Sequence, residues 1–143
     1  MPRLRSLPLL IRAQWALLRA QRRVRREQTG AIMAPAASGA VWPPAPPLDP
    51  AQLRTARSIE RAVLRAGRRG LFRPLCLVRA LAIQSMLEDH GIGGGRVRVG
   101  VRLEDGQFQA HAWVQRGNLV LGDDETNVTR YVPLEGGEVT PLP

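Results

Sequence analysis

The chain has 143 residues, room for one small domain with extensions, and a net charge of +9 in which all 21 basic residues are arginine. A single cysteine excludes an internal disulfide, so nothing in the sequence calls for an oxidising compartment. The charge is one-sided: residues 1–79 hold 16 arginines against Glu27, Asp49 and Glu60, whereas residues 80–143 hold 5 arginines against 9 acids.

The first expected element is a helix from Leu4 to Glu27, in which Leu10, Trp15 and Leu18 recur near helical spacing. Its end, Arg22-Arg23-Val24-Arg25-Arg26, suits the negative pole of a helix dipole. The apolar run Leu7 to Leu18 is too short to cross a bilayer and, broken by Arg12 and Gln14, lacks an uninterrupted signal-peptide core. A cytoplasmic protein without stable membrane insertion is the expectation. Five prolines, Pro35 to Pro47, give residues 30–49 the composition of a linker. The chain thus divides into a basic helix (residues 1–29), a proline-rich linker (30–49) and a domain (50–143). The basic helix has three readings: a cover packed on the domain, a docking segment for a partner, or a helix lying on a membrane surface.

Asp49-Pro50 reads as a cap and first-turn proline, followed by a helix through Leu53, Ala56, Ile59, Val63 and Leu64 to Gly67. Pro74 then pre-sets another helix that begins at Cys76 and stops at His90-Gly91. Leu77, Ala80, Leu81, Ile83, Met86 and Leu87 give this helix an apolar stripe. Beyond Gly93-Gly94-Gly95 the period changes to two. Val97, Val99, Val101 and Leu103 alternate with polar residues or glycine, and Asp105-Gly106 marks a hairpin. Its second strand, Gln107 to Gln115, puts Phe108, Ala110, Ala112 and Val114 on one face and Gln109, His111 and Trp113 on the other. A third strand over Asn118–Leu121 and a short one near Tyr131 to Leu134 complete an antiparallel sheet after helices, an α+β order.

Cys76 at a helix start, His111 on a strand and Asp123 after the next strand are the parts of a nucleophilic triad. An unperturbed thiol, with a pKa of about 8.5, is only a few per cent ionised at neutral pH. A helix dipole contributes roughly 0.3–1 kcal/mol, less than one pKa unit at about 1.36 kcal/mol per unit. An imidazolium is therefore needed beside the thiolate, and His111 is the candidate, with Asp123 orienting it. Asp124 is the competing acid; if the strand still alternates there, its side chain points elsewhere, and Asp123 is preferred. No cofactor is expected, and one cysteine with two histidines makes no recognisable metal-ligand set.

The segments Cys76-Leu77-Val78-Arg79-Ala80-Leu81-Ala82-Ile83-Gln84, Gly91-Ile92, Val97-Arg98-Val99-Gly100-Val101-Arg102 and Ala110-His111-Ala112-Trp113-Val114 occur in that order. In this the chain resembles the transglutaminase-like leader peptidases of lasso-peptide biosynthesis, in the split form that works with a separate leader-recognition protein. The resemblance covers about residues 70–124. It implies a papain-like or transglutaminase-like fold in which the cysteine helix packs on an antiparallel sheet. It also implies a catalytic set of Cys76, His111 and Asp123, and hydrolysis of an amide bond that frees the leader of a precursor peptide. The freed core would pass to an ATP-dependent lasso cyclase. Two other functions fit the residues. The same triad could transfer the acyl group to an amine, and the basic N-terminal half could bind nucleic acid or an anionic membrane. Against nucleic acid, aromatic residues are sparse and no binding motif appears.

Overall fold

The structure, a computed structural model, describes residues 7–26, 45–69 and 75–138. Three helices come first: α1 (Leu7–Arg26), α2 (Pro50–Arg69) and α3 (Cys76–Asp89). They are followed by β1 (Arg96–Glu104), β2 (Gln107–Arg116), β3 (Leu119–Leu121), a short α4 (Glu125–Val128) and β4 (Val132–Glu138). The strands form one antiparallel sheet in the order β3-β2-β1-β4. This is the expected α+β arrangement, with the cysteine helix laid on the sheet.

Local chemistry sets the boundaries. Asp49 and Gln52 form a reciprocal capping box at the start of α2: Gln52 N donates to Asp49 Oδ1 at 2.8 Å, and Asp49 N donates to Gln52 Oε1 at 3.1 Å. Gly91, at φ +75°, ends α3 as the sequence predicts, and Ile92 N reaches back to the Leu87 carbonyl at 2.9 Å. Asp105 and Gly106 both have positive φ, which matches the twist a two-residue hairpin turn requires.

The expected single apolar stripe on α3 is incomplete. Val78, Ala80, Leu81, Ala82, Ile83, Gln84, Met86 and Leu87 are all buried, because α1 and α2 cover the helix on one side and the sheet on the other. Buried Gln84 donates to the Gly95 carbonyl at 3.0 Å and so ties the middle of α3 to the entrance of β1. In α1 the inward residues are Ala13, Ala16, Leu17 and Ala20, while Trp15 is 58% exposed. Small side chains let α1 lie close on α3, and the large ring turns outward. The basic helix therefore shares the core of the domain. Residues 30–44 of the linker, and the ends of the expected first helix at residues 4–6 and 27, lie outside the described residues.

Alternation in β2 also departs from expectation. Ala112 and Val114 are buried against the α3 side, but Phe108, on the same face, is 80% exposed and Ala110 is exposed too. The helix layer reaches only the second half of the strand. There both faces are covered, since Trp113 packs with Val120, Val128 and Tyr131 in a second small cluster on the far side. Gly100, paired with His111 across the sheet, makes room for this cluster. A methyl group at that position would stand 2.8 Å from Tyr131 Cβ and 2.9 Å from Trp113 Cη2. Gly100→Ala is thus expected to destabilise the protein by about 1–3 kcal/mol, read as a lowered thermal midpoint. An unchanged midpoint would contradict this packing.

Candidate active site

The site forms where α3 meets β2 and the end of β3. Cys76 is the first helical residue of α3, and Leu75 before it is extended and supplies no side-chain cap. The first-turn N–H groups of a helix have no acceptor within that helix, so the start of α3 is the natural source of donors beside the sulfur. β3 pairs only with Val114, Gln115 and Arg116, and stops short of His111. Its exit through Gly122 brings Asp123 back to the His111 ring, where Asp123 Oδ2 makes an ion-pair contact with Nε2. Both side chains are largely buried. Sequence reasoning proposed Cys76, His111 and Asp123, and the structure brings all three together.

The electrostatics are reciprocal. Burial pushes the Cys76 thiol up, but a hydrogen bond with the His111 ring, the Ala112 backbone N–H and the charges of His111 and Arg79 outweigh it, so the pKa is lowered. His111 is raised chiefly by its hydrogen bond to Cys76; burial opposes this, and the charges of the thiolate and Asp123 support it. Burial also pushes Asp123 up, yet Asn127, the Asp124 backbone N–H and His111 hold it below the usual carboxylate range. With Nε2 against Asp123, Nδ1 is the ring nitrogen left to serve the sulfur. Each group favours the charged form of its neighbour, which is what a thiolate–imidazolium pair requires.

Asp124 has a different task. Its Oδ1 accepts from Thr126 N at 2.9 Å and caps α4. Asn127, which the sequence reading passed over, donates from Nδ2 to Asp123 Oδ2 at 2.6 Å, while Asp124 N donates to Asp123 Oδ1 at 2.7 Å. The signal was local: an aspartate that opens a helical turn brings the residue three positions later back over the residue before it. Tyr131 was read only as part of a strand. Its ring centroid lies 5.2 Å from that of His111, and the Arg102 guanidinium carbon lies over the Tyr131 ring, 5.0 Å from its centroid.

A thiol at a helix start, laid against a sheet that supplies an imidazole and a carboxylate, defines a transglutaminase-like domain with a Cys-His-Asp site. The sequence profile of the transglutaminase-like superfamily matches residues 4–136, and the chain belongs to that superfamily. The match takes in α1 as well as the sheet. Members of the superfamily are typically Cys-His-Asp enzymes. Neither a curated protein nor a solved structure matches the chain. No helix among the described residues is long and apolar enough to cross a membrane.

Proposed function

We propose that this protein is a cysteine peptidase that removes the leader from a ribosomally made lasso-peptide precursor. It acts with a separate leader-recognition protein, before an ATP-dependent cyclase closes the macrolactam. The observation that carries the reading is one imidazole engaged by a lowered-pKa thiol and by a carboxylate. Superfamily membership and the order of the motifs around Cys76, Gly91, Val97 and His111 support the narrower assignment.

The chemistry follows from the protonation states. The Cys76 thiolate attacks the scissile carbonyl, and the electron pair moves onto oxygen, which the first-turn N–H groups of α3 would stabilise. Collapse of that intermediate expels the amine of the core peptide, which takes the proton from the His111 imidazolium. The leader is now a thioester on Cys76. Neutral His111 then accepts a proton from water as the water attacks the thioester, and the leader leaves as a carboxylic acid. Asp123 keeps the ring oriented and stabilises its charged form.

The division of labour between the two acids gives a direct test. Asp123→Ala is expected to lower the rate of precursor cleavage by about 10²–10⁴-fold, the range for a disabled general acid–base pair. Asp124→Ala should retain cleavage and lose about 1 kcal/mol of stability with its cap. Chromatographic rates and thermal midpoints for the two variants separate these effects. The reverse pattern would assign the acid to Asp124 and contradict the mechanism.

A further inference from the structure

Glu60 on α2 is a buried charged residue that the mechanism above does not use. Its Oε1 accepts the Gly122 backbone N–H at 2.8 Å, and its Oε2 accepts from Arg57 Nη1 at 2.9 Å. The same Arg57 nitrogen donates to the Val120 carbonyl at 3.2 Å. The two side chains therefore grip the backbone on either side of buried Leu121, at the last residues before Asp123. Gly122 sits at φ +91°, and a Cβ there would stand 3.3 Å from Ile83 Cδ1 of α3. The exit of β3 is thus held by α2 through a charge-assisted hydrogen bond and by α3, the cysteine helix, through packing.

Core stability alone gives little reason for a carboxylate here, since apolar residues of similar volume commonly replace buried ion pairs without loss. What an apolar side chain cannot do is hold the Gly122 N–H. We propose that Glu60, with Arg57 beside it, is a positioning residue for the acid: it fixes the β3 exit so that Asp123 meets His111. The inference rests on the Cys76–His111–Asp123 reading, and it couples the helix layer to the acid of the site over 63 positions of sequence.

The test uses the full chain and needs no peptide substrate. The His111 ring is titrated by NMR, with His90 as an internal control, and the rate of Cys76 alkylation by iodoacetamide is measured across pH. In wild type, a raised His111 titration and a lowered thiol titration are expected; ordinary titrations of both would remove the underlying triad reading itself. Glu60→Leu should shift the His111 titration downward and slow alkylation at neutral pH by about threefold or more, the effect of half a pKa unit. Glu60→Gln, whose amide oxygen can still accept the Gly122 N–H, should restore wild-type behaviour, which a loss of global stability would not predict. Glu60→Asp keeps the charge but is one methylene too short, and serves as a second variant where leucine impairs folding. A normal wild-type titration profile in the folded leucine or aspartate variant would overturn the inference while leaving the triad intact. So would a glutamine variant that falls as far as leucine.

Discussion

Cys76→Ala is expected to reduce precursor cleavage by on the order of 10⁴-fold or more while the protein stays folded. The loss follows from chemistry: without sulfur no thioester forms, and the donors at the start of α3 can then stabilise only direct attack by water. The fold should tolerate the change, because alanine suits a first-turn helical position and Cys76 is only partly buried. The substitution also removes the largest influence that raises His111, so the ring should titrate at lower pH than in wild type. Cleavage rates, a thermal midpoint and an NMR titration of His111 check the three parts. Cleavage at the wild-type rate in a folded Cys76→Ala protein would end the nucleophile assignment.

His111→Ala should cost cleavage on a similar scale, since groups that act as one unit fail together. Its more telling effect falls on the thiol. Burial pushes Cys76 up, and the His111 hydrogen bond is the strongest influence that brings it down. Without the ring, the Ala112 N–H, the charge of Arg79 and the modest pull of the helix end remain to oppose burial. The thiol pKa should therefore rise, and each unit of rise lowers the thiolate fraction at neutral pH about tenfold. Iodoacetamide alkylation at neutral pH should slow by about tenfold or more, and its pH profile should move to higher pH. His111→Gln, closer in volume between Trp113 and Tyr131, distinguishes this effect from local collapse. An unchanged alkylation profile in both variants would mean that the helix end and Arg79 ionise the thiol by themselves.

Local signals were readable in the sequence, and relations between layers were not. The Asp49 cap of α2, the glycine stop after α3 and the Asp105-Gly106 hairpin each depend on a few adjacent residues, and the structure contains all three, adding Gln52 as the reciprocal partner of Asp49. The strand histidine and the acid beyond the next strand could also be read, because an antiparallel turn brings such residues together. Which side of α1 is buried could not be read from hydrophobicity, since Trp15 faces outward and alanines face in. Nor could the exposure of Phe108, because periodicity does not say how far along β2 the helix layer extends. Glu60 reads in sequence as an ordinary i,i+3 partner of Arg57, and only the tertiary fold shows that the pair also holds β3. Asn127 lies between these cases: its turn is local, but its value depends on Asp123 already meeting His111.

The arrangement also explains why α1 belongs with the layers that carry the candidate site. It packs on both α2 and α3, the helices that carry Glu60 and Cys76. Several arginines that account for the basic sequence have structural tasks as well. Arg116, for example, donates to the Gly93 carbonyl at 2.7 Å and to the Pro46 carbonyl at 2.6 Å, and joins the sheet to the segment before α2.

The most direct measurement is the intact mass of the products formed when a lasso precursor peptide is incubated with this protein and the proposed leader-recognition protein. A free leader acid and a core peptide whose masses sum to the precursor plus one water are predicted, with neither product formed by Cys76→Ala. A leader carrying an added amine would contradict hydrolysis and make the protein an acyl transferase. Intact precursor, despite demonstrated binding to the folded wild-type protein, would contradict the peptidase account altogether.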